Sequence, residues 1–323
     1  MAKAALRPHD LSADHLADGV NGHPSTWLET RLAMESQPIR MTPDGPRRDM
    51  PMDAIKVAMR LALKLTGLWQ RGLANGLDIR YRTVELGLPR LPREFDDYRI
   101  LHISDPHFDA ADGLGEAIVR TVTGAEVDLC VFTGDFRIAE RGPFTEIGIL
   151  EPLAAIRRSV RATDGFLATL GNHDPADMVA PLRQVGLSVL INQTHQVRRG
   201  GQAIALTGLD DVHSYYTSAA DAALADHDPA TFGIALAHSP EVAGEAAAAG
   251  YSLYLCGHCH GGQLCLPGGR PLITHLSRHR DLYAGLWRCG EMWGYTSTGA
   301  GLADPPIRFN CRGEVTEFRL RAE

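Results

Sequence analysis

Long apolar runs are missing from this 323-residue chain, and its start, Met1-Ala-Lys-Ala-Ala-Leu-Arg-Pro-His-Asp, has no apolar core behind its basic residues. Membrane spanning and secretion are therefore not expected. Positive charge is scarce as well: 32 Lys and Arg against 39 Asp and Glu leave a formal net charge of -7, which speaks against nucleic acid as a partner. Cysteine is sparse and scattered, at Cys130, Cys256, Cys259, Cys265, Cys289 and Cys311, with several of these inside apolar runs. That usage fits free thiols in a reducing compartment, so the expected location is the cytoplasm. Cys256 and Cys259 form a C-x-x-C, but no second pair stands at zinc-ribbon spacing. Gly200-Gly201 and Gly268-Gly269 read as turns, and no G-x-G-x-x-G fingerprint opens a helix. Internal repeats are absent, and low complexity is confined to residues 246–249.

What remains is an ordinary globular composition, 44% hydrophobic and 22% charged, with a core large enough for one big domain or two modest ones. Residues 1–52 are polar and broken by Pro8, Pro24, Pro38, Pro43, Pro46 and Pro51; they are expected to form a partly disordered arm, with one short helix over 25–36. From 53 to 98 the pattern changes. Ile55, Ala58, Ala62, Leu65 and Trp69 recur at helical spacing beside a basic stripe of Lys56, Arg60 and Lys64, and residues 79–86 alternate as an edge strand would. The amphipathic helix is expected to pack its apolar face on the main domain. Its alternative use is as an interfacial helix on anionic lipid, giving peripheral contact through residues 53–75 with the inner membrane face. Residues 99–323 then alternate strand and helix signals, with helices over 115–123, 144–161, 176–185, 218–225 and 240–249. Extended stretches follow at 188–192, 203–208, 291–297, 307–311 and 315–320. This order predicts an α/β fold of two packed sheets flanked by helices.

Five short motifs carry the chemistry: Asp105-Pro-His107, Gly134-Asp135, Gly171-Asn172-His173-Asp174, Ala237-His238-Ser239 and Gly257-His258-Cys259-His260. Each follows an apolar, β-prone run, and the C-terminal ends of buried strands are where α/β proteins build sites. Two divalent cations about 3.5–4 Å apart need a carboxylate between them to offset their repulsion, and Asp135 is the candidate for that bridge. Asp105, His107 and His260 would complete one metal shell; Asn172, His238 and His258 would complete the other. Mixed oxygen and imidazole donors suit Mn, Fe or Zn. Water activated between such ions hydrolyses phosphate esters, and His173, free of both ions, is the expected proton donor to the leaving oxygen. Asp174 is expected to orient its loop. Arg137, Asp211 and His213 are candidates for contact with substrate, with surface pairing and a solvated loop as their plainer readings; Asp210 belongs to the same loop. His102 reads as a strand residue.

The ordered set D-x-H, G-D, G-N-H-D, H and G-H-x-H resembles the calcineurin-like metallophosphoesterase superfamily over residues 99–320. The tail, with Gly257-His-Cys-His-Gly-Gly-Gln263, Tyr283-Ala-Gly-Leu and Pro306-Ile-Arg-Phe-Asn310, is similar to its bacterial YkuE-type branch. The resemblance implies a four-layer αββα sandwich of two mixed sheets and a dinuclear, metal-dependent phosphodiesterase or related hydrolase acting through a metal-bridging hydroxide. Its substrate would be a phosphorylated small molecule, ester or pyrophosphate. The runner-up, from similarity to lipid-acting members, is a membrane-associated pyrophosphatase of lipid-linked phosphates such as UDP-diacylglucosamine; a third reading is a noncatalytic scaffold, which should lack ligands. Two departures stand out. Many members carry an aspartate three residues after the bridging one to pair with the proton-donating histidine, whereas here that position is Ile138, with Glu140 as a candidate replacement. Cys259 stands where threonine is commoner.

Overall fold

The computed structural model describes residues 25–48 and 53–323. The disorder expected of the 1–52 arm therefore falls largely outside the described residues. Its short helix is present as α1 (Ser25–Glu35), followed by a two-stranded ribbon, Arg40–Thr42 with Gly45–Arg47. The single helix expected from residue 53 is two, α2 (Asp53–Leu65) and α3 (Leu68–Leu77), because Gly67 takes a left-handed conformation between them.

One sheet contains β1 (Arg80–Leu88), β2 (Tyr98–Ile103), β3 (Leu129–Thr133), β4 (Phe166–Thr169) and β5 (Ser188–Val189). The other contains β6 (Gln193–Arg199), β7 (Gln202–Gly208), β8 (Phe232–Leu236), β9 (Leu253–Cys256), β10 (Gly285–Cys289) and β11 (Met292–Thr296). The last strand, β12 (Glu314–Ala322), returns to the first sheet between β1 and β2. Spatial order is β1-β12-β2-β3-β4-β5 in the first sheet and β6-β7-β8-β9-β11-β10 in the second. Both sheets are mixed, but the strands that precede motifs run parallel: β2-β3-β4 in one, β7-β8-β9 in the other.

Period-two alternation sets the layers. Ile100, Leu129, Val131 and Leu167 turn toward the second sheet and meet Ile204, Leu206, Ile234, Leu236, Leu253 and Leu255. Their neighbours Leu101, Ile103, Cys130, Phe132 and Ala168 turn outward under α4 (Leu114–Val122), α5 (Leu150–Ser159) and α6 (Val179–Gln184). On the far side Ala235, Tyr254 and Cys256 pack under α7 (Ser218–Ala225) and α8 (Ala243–Ala248). The result is the expected four-layer αββα sandwich of two mixed sheets.

The differences from the expected elements have local causes. Helix α5 begins at Leu150 rather than 144, since Pro143 and Gly148, at φ 78°, keep the preceding segment in a loop. Residues 307–311 form no strand; Phe309 makes only an isolated bridge to Leu264. Strands β6 and β10 have no counterpart among the expected stretches, being the two edges of the second sheet, where alternation is weak. Helix α2 does not bury its apolar face as expected: Ala58 and Ala62 are exposed and Leu65 is 88% exposed, and Val57 and Leu61 beside them are each 57% exposed. Lys56 and Arg60 instead pair with Asp304, and Lys64 lies over the Trp69 ring. None of the helices among the described residues is long and apolar enough to cross a membrane.

Candidate metal centre

Parallel strands of both sheets end at one edge of the sandwich, and the motif side chains leave from those ends. Asp105 and His107 follow β2, Asp135 follows β3, and Asn172 and His173 follow β4; His238 follows β8, and His258 and His260 follow β9. Close backbone approach is needed to bring them together. A Cβ on Gly171 would stand 2.2 Å from Asp135 Oδ1, and one on Gly257 would stand 2.0 Å from Ser104 Oγ. These glycines are therefore steric requirements of the site. Asp105, His107, Asp135, His258 and His260 all have positive φ, between 36° and 71°. Non-glycine residues adopt that conformation at a cost, so its recurrence at five motif positions indicates a backbone shaped for a site rather than for stability.

All seven candidate ligands converge. Asp105, His107 and His260 form one potential metal-holding group and Asp135, His238 and His258 another; His107, Asp135 and His173 form a third. His107 Nε2 lies 3.2 Å from His260 Nε2, and His260 Nε2 lies 3.4 Å from Asp105 Oδ1. Asp135 Oδ2 is central, 3.5 Å from His107 Nε2, 3.2 Å from His238 Nε2 and 3.8 Å from His173 Nε2. His238 Nε2 is also 3.2 Å from both Asn172 Oδ1 and His258 Nδ1.

The donor set fits a cation. His107 Nδ1 donates to Arg137 O at 2.5 Å and His238 Nδ1 to Thr133 O at 2.7 Å. In the neutral rings this leaves both Nε2 lone pairs facing the Asp135 carboxylate. Such crowding of acceptors calls for positive charge between them. Burial pushes His107, His258 and His260 below the ordinary imidazole value, keeping them in the metal-binding neutral form. Burial works the same way on His238, yet the Asp135 and Asp105 carboxylates outweigh it and raise that group well above its usual value. Burial raises Asp105, whereas at Asp135 its effect is overcome by His238 and His173, which hold the carboxyl well below the usual range. His258 Nε2 is buried with no hydrogen-bond partner among the described residues.

His173 is half free of this network. Its N–H donates to Asp135 Oδ1 at 2.9 Å, and its ring Nδ1 donates to the carbonyl of Ile138 at 2.8 Å, so Nε2 faces the centre. The partner of this histidine is therefore a main-chain oxygen of the position that lacks the expected aspartate, and the Glu140 side chain does not take that place. Asp174 does orient its loop: its carboxylate accepts from the amides of Asp135, Phe136 and Gly171 at 2.6, 2.8 and 2.8 Å. Burial, then Asp135, pushes its carboxyl up to about 6.

The three residues expected to contact substrate are otherwise engaged. Arg137 is buried, and its Nε, Nη1 and Nη2 donate to the carbonyls of His173, Pro143 and Gly142, so it holds loops instead of a phosphate. Asp211 is buried and caps its own turn, accepting from the amides of His213 and Ser214. His213 donates from Nδ1 to Glu241 and lays its ring 4.0 Å from that of His258. His102 is a buried strand residue whose Nε2 meets Thr133 Oγ1 at 2.8 Å.

Residues outside the five ligand motifs support the centre from outside. Arg308, inside the P-I-R-F-N segment, donates to the carbonyls of His260, Thr298, Gly299 and Gly301 and so fixes the loop of His260. Arg31 of α1 reaches the carbonyls of Gly171 and Asp174. Both are buried guanidiniums acting on main-chain oxygens, a role that short sequence patterns do not encode.

Residues 98–262 match the calcineurin-like phosphoesterase family. YkuE of Bacillus subtilis, an uncharacterized metallophosphoesterase, is 29% identical over 242 residues, which are 72% of this chain and 82% of that protein. The phosphodiesterase YaeI of Escherichia coli is 28% identical over 237 residues, 69% of this chain and 82% of its own. The UDP-2,3-diacylglucosamine pyrophosphatase LpxG of Chlamydia trachomatis is 25% identical over 256 residues, 63% and 75% of the two chains.

Proposed function

The chain belongs to the calcineurin-like phosphoesterase family, a metal-dependent class of phosphoric ester hydrolases, and from that premise we propose that it hydrolyses a phosphodiester or pyrophosphate with a pair of divalent ions, Mn, Fe or Zn. The observation that carries this reading is the central carboxylate oxygen of Asp135, within 3.5 Å of imidazole nitrogens from both halves of the site. Asp105, His107 and His260 would hold one ion and Asn172, His238 and His258 the other, with Asp135 shared. When bound, the ions supply Lewis acidity and lower the pKa of water. The chain's own part is to orient and to move a proton. Asp174 and the glycines fix the loops, and His173, presenting Nε2 to the centre, delivers a proton to the departing oxygen. The noncatalytic reading is disfavoured, since no candidate ligand is missing.

The test is turnover of p-nitrophenyl phosphate, bis-p-nitrophenyl phosphate and a nucleotide-sugar pyrophosphate by metal-reconstituted protein, beside Asp135→Asn. The substitution should lower kcat by at least about 100-fold, the scale of losing one electrostatic group of a site, and reduce bound metal. A fully loaded wild type inert on all three esters, or a variant with near-normal rate, would overturn the reading.

A second reading, a lipid-linked phosphate as substrate, is supported by two things: the exposed apolar face of α2, flanked by basic residues, and the likeness to LpxG. Such a helix suits an anionic interface. A cytoplasmic location, as expected from cysteine usage, would let that helix meet the inner membrane face.

A further inference from the structure

Helix α1 precedes the stretch that matches the family, 98–262, yet one of its side chains reaches the loop between β4 and α6. Arg31 is 1% exposed. Its Nη1 meets Asp210 Oδ1, its Nε donates to Glu35 Oε1 at 3.0 Å, and its Nη2 donates to Asp174 O at 2.7 Å with Gly171 O at 3.5 Å. The guanidinium also lies over the Tyr215 ring, 3.6 Å from its centroid. Every nitrogen is used, in a planar fork that joins four carboxylate or carbonyl partners. Lysine could not reproduce that fork.

The loop it grips carries Asn172 and His173. On the amide side that loop is held by Asp174, whose carboxylate collects main-chain N–H groups. On the carbonyl side, Arg31 takes the oxygens at both ends of the motif and Arg137 takes the oxygen of His173. Helix α1 is anchored beside it twice more: Trp27 Nε1 donates to Asp210 Oδ2 at 2.7 Å, and Glu35 Oε1 accepts from Ala176 N at 2.8 Å. A buried cation serving fold stability alone has no need of the motif's carbonyls.

We propose that Arg31 is a positioning residue of the reaction, fixing the Gly171–Asp174 loop so that His173 Nε2 stays aimed at the leaving oxygen. The inference deepens the proposed function and rests on His173 as the proton donor. It makes a segment outside the matched family region part of the working site.

The experiment uses the full chain at saturating metal and compares Arg31→Ala, Arg31→Lys, His173→Ala and the Arg31→Ala/His173→Ala double variant on two diesters, one leaving as p-nitrophenolate and one as an alkoxide. Arg31→Ala should lose about 100-fold in kcat, the scale of a 1 Å misplacement, with KM changed less than about threefold. The loss should be larger for the alkoxide, which needs its proton most. Guanidinium ion should restore part of kcat to Arg31→Ala, ammonium should not, and Arg31→Lys should recover less than a tenth of the rate. Adding Arg31→Ala to His173→Ala should cost less than about threefold more. Equal loss on both esters, full additivity in the double variant, or a change in KM alone would overturn the proposal. Should the alanine variant not fold, Arg31→Lys and an Arg31→Gln variant read the same leaving-group ratio. An unsubstituted enzyme inert on both esters removes the functional reading itself, and is told apart because the failure precedes any substitution.

Discussion

At the scale of single residues, the site is a balance between burial, which strips charge, and close partners, which restore it. Glu241 illustrates this away from the candidate ligands. Burial works to raise its carboxyl, but hydrogen bonds from His213 Nδ1 and from the Ser277 amide and hydroxyl outweigh it and bring the group down to about 2. A carboxyl lowered in the folded state stabilises above its unfolded value, near 4.5, and loses that contribution as pH falls through about 2. Glu241→Gln should therefore cost about 3 kcal/mol near pH 7, with the gap to wild type closing between about pH 4.5 and 2. Urea unfolding across that window checks it; a constant gap would contradict the assignment. Sequence patterns bring out Asp105, Asp135 and the five motif histidines because order and spacing mark them. They give no sign of Glu241 or Arg31 and mark the segment of Arg308 without its role, since all three act at long range on main-chain atoms or on other side chains.

At the scale of elements, the buried strands were legible and the edges were not. β2, β3, β4, β8 and β9 are continuous apolar runs because both of their faces are covered. β6, reading Gln-Thr-His-Gln-Val-Arg-Arg, buries only Val197 and owes its extended form to antiparallel pairing with β7. Helix α2 is the reverse case: its periodicity was clear, but periodicity cannot say what meets the apolar face. With Val57, Leu61 and Leu65 exposed, the lipid reading makes a specific claim. Full-length protein should float with vesicles of anionic phospholipid, and Leu61→Glu/Leu65→Glu should lower the bound fraction at least about tenfold, each charge at an apolar interface costing about 1 kcal/mol or more. Equal flotation of the double variant, or none of wild type, would sink it. Turnover of a soluble diester should be unchanged.

At the scale of the whole molecule, the two sheets are joined by one apolar layer and by the site itself, where Asp135 from the first sheet meets His238 from the second. Ions shared across that junction should tie the halves together. Chelation should then lower the thermal midpoint by about 5 °C or more, and re-addition of Mn or Zn should restore it, as expected for ligand present at roughly 100 times its Kd. Scanning calorimetry with and without chelator reads this; an unchanged midpoint would mean that the cluster does not hold metal tightly.

By itself the sequence determined the family, the layered α/β class and the identity of the motif residues, because those depend on local periodicity and on ordered short patterns. Tertiary structure alone decided the partners: Ile138 O for His173, main-chain carbonyls for Arg137, and Gly171 and Asp174 for Arg31. It also left α2 with an open face. The reason is physical. Strand and helix periods are written in adjacent residues, whereas a buried hydrogen bond between groups 140 positions apart exists only after the chain has packed.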